Sequence, residues 1–133
     1  MPARSEVGRA QPRYLLIADD EMGVLEVARA MALAIGRQPL IANTAEHAIA
    51  LFRDHAAAID QVLIDWHMPD LDGPALAQRM RSIRPDVEIL LMTGDESHAN
   101  AQAAGGGFAD GVLVKPFVLD ELEQALEPHS RAA

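Results

Sequence analysis

Short apolar runs recur along the chain and are separated by segments long enough to form helices. They predict strands at residues 14–18, 40–42, 61–64, 87–92 and 112–114. Apolar runs this short, alternating with helix-length segments, are typical of strands that a parallel sheet buries on both faces. The pattern therefore predicts five buried strands joined by helical connections.

The segments between these strands carry the periodicity and the end signals of helices. We predict helices at residues 22–35, 45–55, 73–84, 96–104 and 119–126. In the first, the apolar residues follow the i, i+3, i+4 spacing of a sheet-facing stripe, which consists of Val24, Leu25, Ala28, Met31, Ala32 and Ile35. Thr44 is a favourable N-cap for the second, and Pro74 suits the first turn of the third.

The predicted helix at residues 96–104 has the weakest pattern of the five. Its only candidates for burial are alanines, and it runs into the three glycines at residues 105–107. Each glycine costs about 1 kcal/mol relative to alanine inside a helix. We therefore expect this helix to be short or mobile.

The strand and helix alternation predicts an α/β fold of the (βα)5 type. Right-handed crossovers make a doubly wound, five-stranded parallel sheet the natural arrangement, with the flavodoxin-like strand order 2-1-3-4-5. The order of the strands reverses between strands one and three. Open sheets of this kind bind their ligands at that crevice, beyond the carboxyl ends of the strands.

Five polar residues stand where predicted strands end. Asp19 and Asp20 follow the first strand, Asp65 the third, Thr93 the fourth and Lys115 the fifth. Because the carboxyl ends of parallel strands meet at one edge of a sheet, we expect these side chains to share one site. Carboxylates packed closely repel each other, so the site calls for a divalent cation, with Lys115 offsetting remaining charge. A phosphoryl group fits such surroundings.

Composition narrows the class of protein. The length of 133 residues suits one domain, which we place at residues 14–127, between a flexible N-terminal arm at 1–13 and a tail at 128–133. The chain contains no cysteine, which excludes disulfides, thiol catalysis and cysteine-ligated metals. A half-hydrophobic composition with 4% aromatic residues predicts a core built mainly from aliphatic side chains.

Charge and hydropathy bear on partners and location. The formal net charge of −9 argues against binding to the phosphate backbone of nucleic acids. No apolar stretch approaches the length that spans a bilayer, and the N-terminus lacks the apolar core of a signal peptide. We expect a cytoplasmic protein without membrane insertion.

Four motifs at the strand ends resemble a known family. They are LIADDE at residues 16–21, VLIDWHMP at 62–69 with Asp72 and Gly73 following, LMTG at 91–94 and KPF at 115–117. Together these motifs resemble the receiver domain of two-component response regulators, over about residues 14–127. Their order, with spacings of 45, 28 and 22 residues between the second aspartate, Asp65, Thr93 and Lys115, makes the resemblance specific.

The resemblance implies a modifiable aspartate beside a metal ion. Asp65 would be the phosphoacceptor, and Asp19 and Asp20 would bind Mg²⁺ together with it. The backbone carbonyl of His67 would complete the protein's share of the metal ligands.

The same resemblance implies roles for two further residues and one peptide bond. Lys115 would contact the phosphoryl oxygens, and Thr93 would hydrogen-bond to one of them after phosphorylation. The bond between Lys115 and Pro116 would be cis. Receivers often carry an aromatic residue three positions before the lysine, and here Val112 takes that place.

The expected function is that of a phosphoacceptor in a two-component or phosphorelay system. A sensor histidine kinase or a phosphotransfer protein would donate the phosphoryl group to Asp65, and the modified domain would act on a downstream protein target. Such a domain is a signalling protein, with only its own autophosphotransfer and autodephosphorylation chemistry. Two alternatives remain open: a pseudo-receiver or scaffold that binds partners without phosphorylation, and a Mg²⁺-dependent phosphatase of small phosphoesters.

Taken singly, these residues also have purely structural interpretations. Asp19 and Asp20 could cap the helix that follows them, and Thr93 could cap the predicted helix after the fourth strand. Lys115 could be a solvated lysine at the end of a strand. The functional interpretation depends on all of them meeting in space.

Overall fold

A five-stranded parallel sheet forms the centre of the molecule. The computed structural model describes residues 13–98 and 109–127. The strands are β1 (Tyr14–Ala18), β2 (Gln38–Ala42), β3 (Ile59–Asp65), β4 (Glu88–Thr93) and β5 (Gly111–Val114). They pair in the order β2-β1-β3-β4-β5, and each neighbouring pair is parallel. The predicted α/β fold, its flavodoxin-like strand order and its switch point between β1 and β3 are confirmed.

Four complete helices lie in the described part of the chain. They are α1 (Met22–Ala34), α2 (Ala45–His55), α3 (Gly73–Ile83) and α4 (Leu119–Leu126). The helix predicted at residues 96–104 begins at Glu96. The rest of that predicted helix, with the glycines at residues 105–107, lies outside the described residues, as do the predicted tail at 128–133 and all of the predicted arm except Arg13.

The core is divided by the sheet into two clusters. Side chains alternate between the two faces along a strand, so consecutive residues of β1 enter different clusters. Leu16 and Ala18 pack with side chains of α2 and α3, whereas Leu15 and Ile17 pack with side chains of α1 and α4. All four are fully buried. Of the predicted stripe of α1, Leu25, Ala28 and Ala32 are buried, whereas Val24, Met31 and Ile35 are only partly buried.

β3 begins two residues before its predicted start, at Ile59, and a shift of the same size occurs in β2. This strand begins at Gln38 and includes Pro39, which pairs with Leu15, whereas the apolar pattern predicted a start at Leu40. Proline lacks a donor for the sheet hydrogen bonds and is therefore confined to edge strands or strand starts. β2 lies at the edge of the sheet, where the missing donor is tolerated.

Two loops on the carboxyl side of the sheet are fastened by helix caps. Thr44 accepts a hydrogen bond from the His47 N–H at 3.0 Å, as predicted for the cap of α2. Asp70, in the loop after β3, accepts two more from the first backbone N–H groups of α2, each at 3.0 Å. Asp72 caps α3 by accepting from Ala75 N–H at 2.8 Å. The loop that follows Asp65 is thus held by the start of one helix and the cap of another.

Candidate phosphoacceptor site

The five polar residues singled out in the sequence all lie at the carboxyl edge of the sheet. Asp65 and Thr93 are the last residues of β3 and β4. Asp19 and Asp20 directly follow β1, and Lys115 directly follows β5. Because β1, β3, β4 and β5 are consecutive in the sheet, its topology brings these residues to one end of the molecule.

Three carboxylates form the acidic part of the site. Asp19, Asp20 and Asp65 each offer a ligand oxygen, and these oxygens lie within 4.8 Å of one another. Asp19 is fully buried and Asp65 is 6% exposed, whereas Asp20 faces solvent. Hard divalent cations such as Mg²⁺ prefer oxygen ligands of this kind. The donor set therefore fits the Mg²⁺ that the sequence analysis expected, with Asp20 on the open side.

Lys115 bridges the two buried carboxylates. Its Nζ lies 3.1 Å from Asp19 Oδ2 and 3.0 Å from Asp65 Oδ1. Burial by itself lowers the pKa of a lysine, but the hydrogen bonds that Lys115 donates to Asp65 and Asp19 outweigh this effect and leave the pKa of Lys115 raised. The ammonium group is therefore charged at neutral pH.

The charges at this end of the sheet do not balance. Burial raises the pKa of Asp65, the charges of Asp19 and Asp20 raise it further, and only Lys115 opposes them. With all three acids ionised, one ammonium faces three carboxylates. The excess of about two negative charges matches the charge of one divalent cation.

Backbone contacts orient the two buried aspartates. The other oxygen of Asp19 accepts a hydrogen bond from Glu21 N–H at 2.9 Å, and Glu21 is the N-cap residue of α1 without a side-chain cap of its own. The N–H after Asp65, that of Trp66, donates to the carbonyl of Met92 in β4 at 2.8 Å. Asp19 thus accepts a hydrogen bond at the start of α1 with one oxygen and contacts Lys115 with the other.

Gly73 is a positioning residue whose only signal in the sequence is the Asp-Gly pair that follows one of the motifs. Its N–H donates to the carbonyl of Trp66 at 2.7 Å. A Cβ atom at this position would lie 2.6 Å from the carbonyl oxygen of Asp65 and 2.9 Å from the Cα of Trp66. Glycine therefore allows α3 to approach the backbone that carries Asp65. The Asp-Gly pair after the apolar run was the available signal, but the contact itself is visible only in space.

Thr93 is buried, and its hydroxyl group already has partners. Its Oγ1 accepts from Asp95 N–H at 3.1 Å and lies 2.7 Å from Nδ1 of His98. The Thr93 carbonyl accepts from Lys115 N–H at 2.6 Å, which joins the ends of β4 and β5. The cap of the helical turn that begins at Glu96 is Asp95, whose Oδ1 accepts from the Ser97 N–H at 2.9 Å.

His98 is the neighbour of Thr93 that sequence reasoning missed. Its ring stacks on Trp66, the residue after Asp65, with centroids 3.9 Å apart and planes at 10°. No periodicity or motif marks a histidine five positions after Thr93, so nothing in the sequence pointed to it.

Three further expectations have different outcomes. The Lys115–Pro116 peptide bond is cis, as expected. Val112 is partly buried and packs against the core cluster that contains side chains of α2 and α3. His67 is exposed and lines a groove beside Asp65, and the metal-binding role of its carbonyl stays a prediction.

That groove has a volume of about 710 Å³ and runs from the charged cluster along α1. Asp65 and Lys115 are among its lining residues. Its apolar walls come from α1 and from the residues after the cis peptide bond, and include Val24, Val27, Met31 and Phe117. A chemical group bound to Asp65 would therefore sit beside a surface that suits an apolar partner.

A family model described as the response regulator receiver domain matches residues 15–127. This chain belongs to that family. The match spans all nine described elements except the first residue of β1. The resemblance drawn from the four motifs is thereby confirmed.

Curated relatives of this receiver domain are longer proteins. The response regulator MprA of Mycobacterium sp. (strain KMS) is 32% identical over 111 residues, which are 84% of this chain and 47% of that protein. A probable transcriptional regulator, ycf27 of Cyanidium caldarium, is 30% identical over 114 residues, or 86% of this chain and 45% of that protein. The chain spans about half the length of these relatives.

Solved structures match the receiver domain over nearly their whole length. A receiver domain protein from Clostridium thermocellum has a TM-score of 0.76 at 25% identity, covering 85% of this chain and 90% of that one. The response regulator TrrA from Thermotoga maritima, solved in complex with Mg²⁺ and BeF, has a TM-score of 0.76 at 26% identity, covering 86% of this chain and 96% of that one.

None of the helices in the described ranges 13–98 and 109–127 has the length and hydropathy to cross a bilayer.

Proposed function

We propose that this receiver domain accepts a phosphoryl group on Asp65 from a phosphohistidine of a sensor histidine kinase or phosphotransfer protein. The observation that carries the proposal is the position of Lys115, which lies 3.0 Å from Asp65 and 3.1 Å from Asp19. A lysine between two buried acids, with a third acid beside them, is suited to an added phosphate and a divalent cation.

Asp19, Asp20 and Asp65 are the residues that would hold Mg²⁺, together with the backbone carbonyl of His67. Their ligand oxygens are close enough to share one ion, and two of the three acids are buried. When bound, the ion supplies positive charge to the oxygens of the transferring phosphoryl group.

Asp65 provides the nucleophile. In the transfer, a carboxylate oxygen of Asp65 forms a bond to phosphorus while the phosphorus–nitrogen bond of the phosphohistidine breaks, and the imidazole leaves with the bonding electrons. Lys115 opposes the rise in the pKa of Asp65 that burial causes, and so favours the ionised form that attacks. The ammonium then donates to phosphoryl oxygens, where its charge is already in place.

Thr93 is the residue that would respond to the phosphoryl group on Asp65. After transfer, its hydroxyl would donate to a phosphoryl oxygen, which requires it to leave its present partner His98. The added charge thus biases the segment after β4 between two arrangements. A downstream protein target that binds one arrangement better than the other would receive the signal.

The apolar groove is where we place the donor. A phosphohistidine must reach Asp65, and Asp65 and Lys115 are among the residues that line the groove. A helix that presents a phosphohistidine at its surface could lay its apolar face against Val27, which is 56% exposed. Val27→Glu should slow transfer from a protein donor about tenfold or more, and leave transfer from a small phosphoramidate unchanged.

A phosphoryl analogue tests the central proposal. Beryllofluoride with Mg²⁺ should shift the amide resonances around Asp65, Thr93 and Lys115, and Asp65→Asn should abolish both these shifts and the acid-labile phosphate formed with a small donor. Absence of shifts in the wild-type protein would indicate a pseudo-receiver or scaffold. Turnover of a small phosphoester that persists in Asp65→Asn would assign the chemistry to another residue.

A further inference from the structure

The hydroxyl group of Thr93 is engaged in the unmodified protein. Its oxygen lies 2.7 Å from His98 Nδ1 and accepts from Asp95 N–H at 3.1 Å. Thr93 is 1% exposed, so its hydroxyl is shielded from bulk water. The hydroxyl therefore cannot turn towards a new acceptor without giving up a protein hydrogen bond.

The surroundings of His98 indicate which partner donates. Nε2 of His98 lies 3.9 Å from Asp95 Oδ2. Hydrogen bonds from Ser97 lower the pKa of Asp95, so this carboxylate is ionised at neutral pH. A negative charge on that side favours the tautomer with its hydrogen on Nε2, in which Nδ1 is an acceptor. In this tautomer Thr93 donates its hydroxyl hydrogen to His98.

The ring of His98 is also held in place by Trp66. The two rings are stacked, with centroids 3.9 Å apart and planes at 10°. The main chain of Trp66 is anchored in turn, because its backbone N–H donates to the carbonyl of Met92 at 2.8 Å. The ring of His67 lies near, with its centroid 5.7 Å from that of His98. His98 thus connects Thr93 to the backbone that carries Asp65.

We propose that His98 is a positioning residue that holds the Thr93 hydroxyl in the unmodified protein and releases it when Asp65 carries a phosphoryl group. The inference rests on the proposed function, since it assigns a second acceptor to the same hydroxyl. His98 and the phosphoryl group compete for one hydrogen. Removing the nitrogen acceptor should therefore strengthen binding of a phosphoryl analogue.

Two substitutions separate the hydrogen bond from the ring stack. His98→Phe keeps an aromatic ring that can stack on Trp66 and lacks the nitrogen acceptor, whereas His98→Asn offers an acceptor near the position of Nδ1. Calorimetric titration with beryllofluoride at saturating Mg²⁺ should show binding about threefold to tenfold tighter for His98→Phe, the effect of one neutral hydrogen bond. His98→Asn should bind as the wild type does.

A double-mutant cycle tests whether His98 acts through Thr93. In a Thr93→Val background, His98→Phe should no longer change the affinity, because no hydroxyl is left to release. The ring ¹⁵N shifts of His98 in the unmodified wild-type protein should show the tautomer with hydrogen on Nε2. Addition of beryllofluoride should then remove the hydrogen bond at Nδ1 and change the fluorescence of Trp66, the single tryptophan of the chain.

Unchanged or weaker binding by His98→Phe would overturn the inference. So would equal tightening in the Thr93→Val background, or a hydrogen on Nδ1 of His98 in the unmodified protein, a measurement that needs no variant. A wild-type protein that does not respond to beryllofluoride rejects the proposed function, and the inference with it. A responding wild type with indifferent variants rejects the inference alone.

Discussion

Both ends of the sheet hold paired charges, but the cations match the acids at only one end. At the amino end, Asp60 forms ion pairs with two arginines. Arg37 Nη2 lies 2.6 Å from Asp60 Oδ1, and Arg13 Nε lies 3.5 Å from Asp60 Oδ2. At the carboxyl end, Lys115 is shared by two buried acids beside a third. Asp60 therefore has a full set of cation partners, whereas the acids of the carboxyl end have too few.

Side-chain hydrogen bonds reinforce the difference. At the amino end, Arg37 donates to Gln61, and Gln61 donates to Glu88 at 2.9 Å and to the carbonyl of Leu126 at 2.8 Å. This network ties β3 and β4 to the end of α4. Its groups stabilise one another, which is typical of a structural role. An excess of like charge within a fold is instead typical of a site that binds something of opposite charge.

The largest predicted effect separates the two ends by removing one cation from each. Lys115→Met should reduce the rate of phosphoryl transfer to Asp65 about 100-fold to 1,000-fold, the loss expected for a positioned electrostatic group. Arg37→Met should leave that rate unchanged and lower the free energy of unfolding by about 1–2 kcal/mol, because it leaves Asp60 and Gln61 short of a donor. Phosphorylation by a small donor and urea unfolding measure the two quantities. Equal effects of both variants on transfer would contradict the division of roles.

The contact of Gly73 with the phosphoacceptor strand gives the next effect. Gly73→Ala would place a Cβ 2.6 Å from the Asp65 carbonyl oxygen, so the start of α3 or the end of β3 must shift. We expect a loss of about 1–3 kcal/mol in the free energy of unfolding and weaker Mg²⁺ binding. Gly23→Ala is the control, since a Cβ there meets no atom within 4 Å and should leave both quantities nearly unchanged.

The strand-end residues could be predicted from the sequence because a simple rule links them. Asp65, Thr93 and Lys115 each close an apolar run, and parallel strands in the order 2-1-3-4-5 bring such positions to one edge. The rule needs only the hydrophobic pattern and the topology. The fold and most of the site therefore followed from local information.

The remaining features depend on contacts that produce no periodic pattern in the sequence. Asp70 caps α2 from a loop 25 residues away, and His98 reaches Thr93 across a turn. The pairing of Arg37 with Asp60 joins a residue before β2 to one in β3. Residue type and spacing allow many such contacts, and only the packed arrangement selects among them.

Charge relief at the acidic cluster should have opposite effects on stability and metal binding. Asp20→Asn removes one of the three neighbouring carboxylates, so the metal-free protein should gain about 0.5–1 kcal/mol in free energy of unfolding. Its affinity for Mg²⁺ should fall about tenfold or more, and Mg²⁺ should raise its melting temperature less than that of the wild type. Asp60→Asn, at the balanced end, should instead destabilise the protein and leave Mg²⁺ binding unchanged. Calorimetry with and without Mg²⁺ measures these changes, and a gain for both variants would remove the distinction between the two ends.

The smallest predicted effect concerns how the contributions of Asp65 and Asp70 to the free energy of unfolding depend on pH. Burial raises the pKa of Asp65 above the ordinary 3.8, so its favourable contribution to stability is complete below pH 3.8 and is lost as the pH rises through its folded pKa. Backbone hydrogen bonds from Ala45 and Glu46 lower the pKa of Asp70, so its contribution is present above pH 3.8 and is lost as the pH falls through its folded pKa.

Asparagine at each position should reveal these opposite slopes. In Mg²⁺-free urea unfolding between pH 3 and pH 7, Asp65→Asn should become more stable relative to the wild type as the pH rises, because an ionised Asp65 costs stability beside two other acids. Asp70→Asn should become less stable relative to the wild type over the same rise, by a few tenths of a kcal/mol, since solvent screens this exposed cap. Slopes of the same sign would mean that Asp65 is not disfavoured in its ionised form. The excess negative charge that distinguishes the carboxyl end of the sheet would then be compensated within the protein itself, with no need for a bound cation.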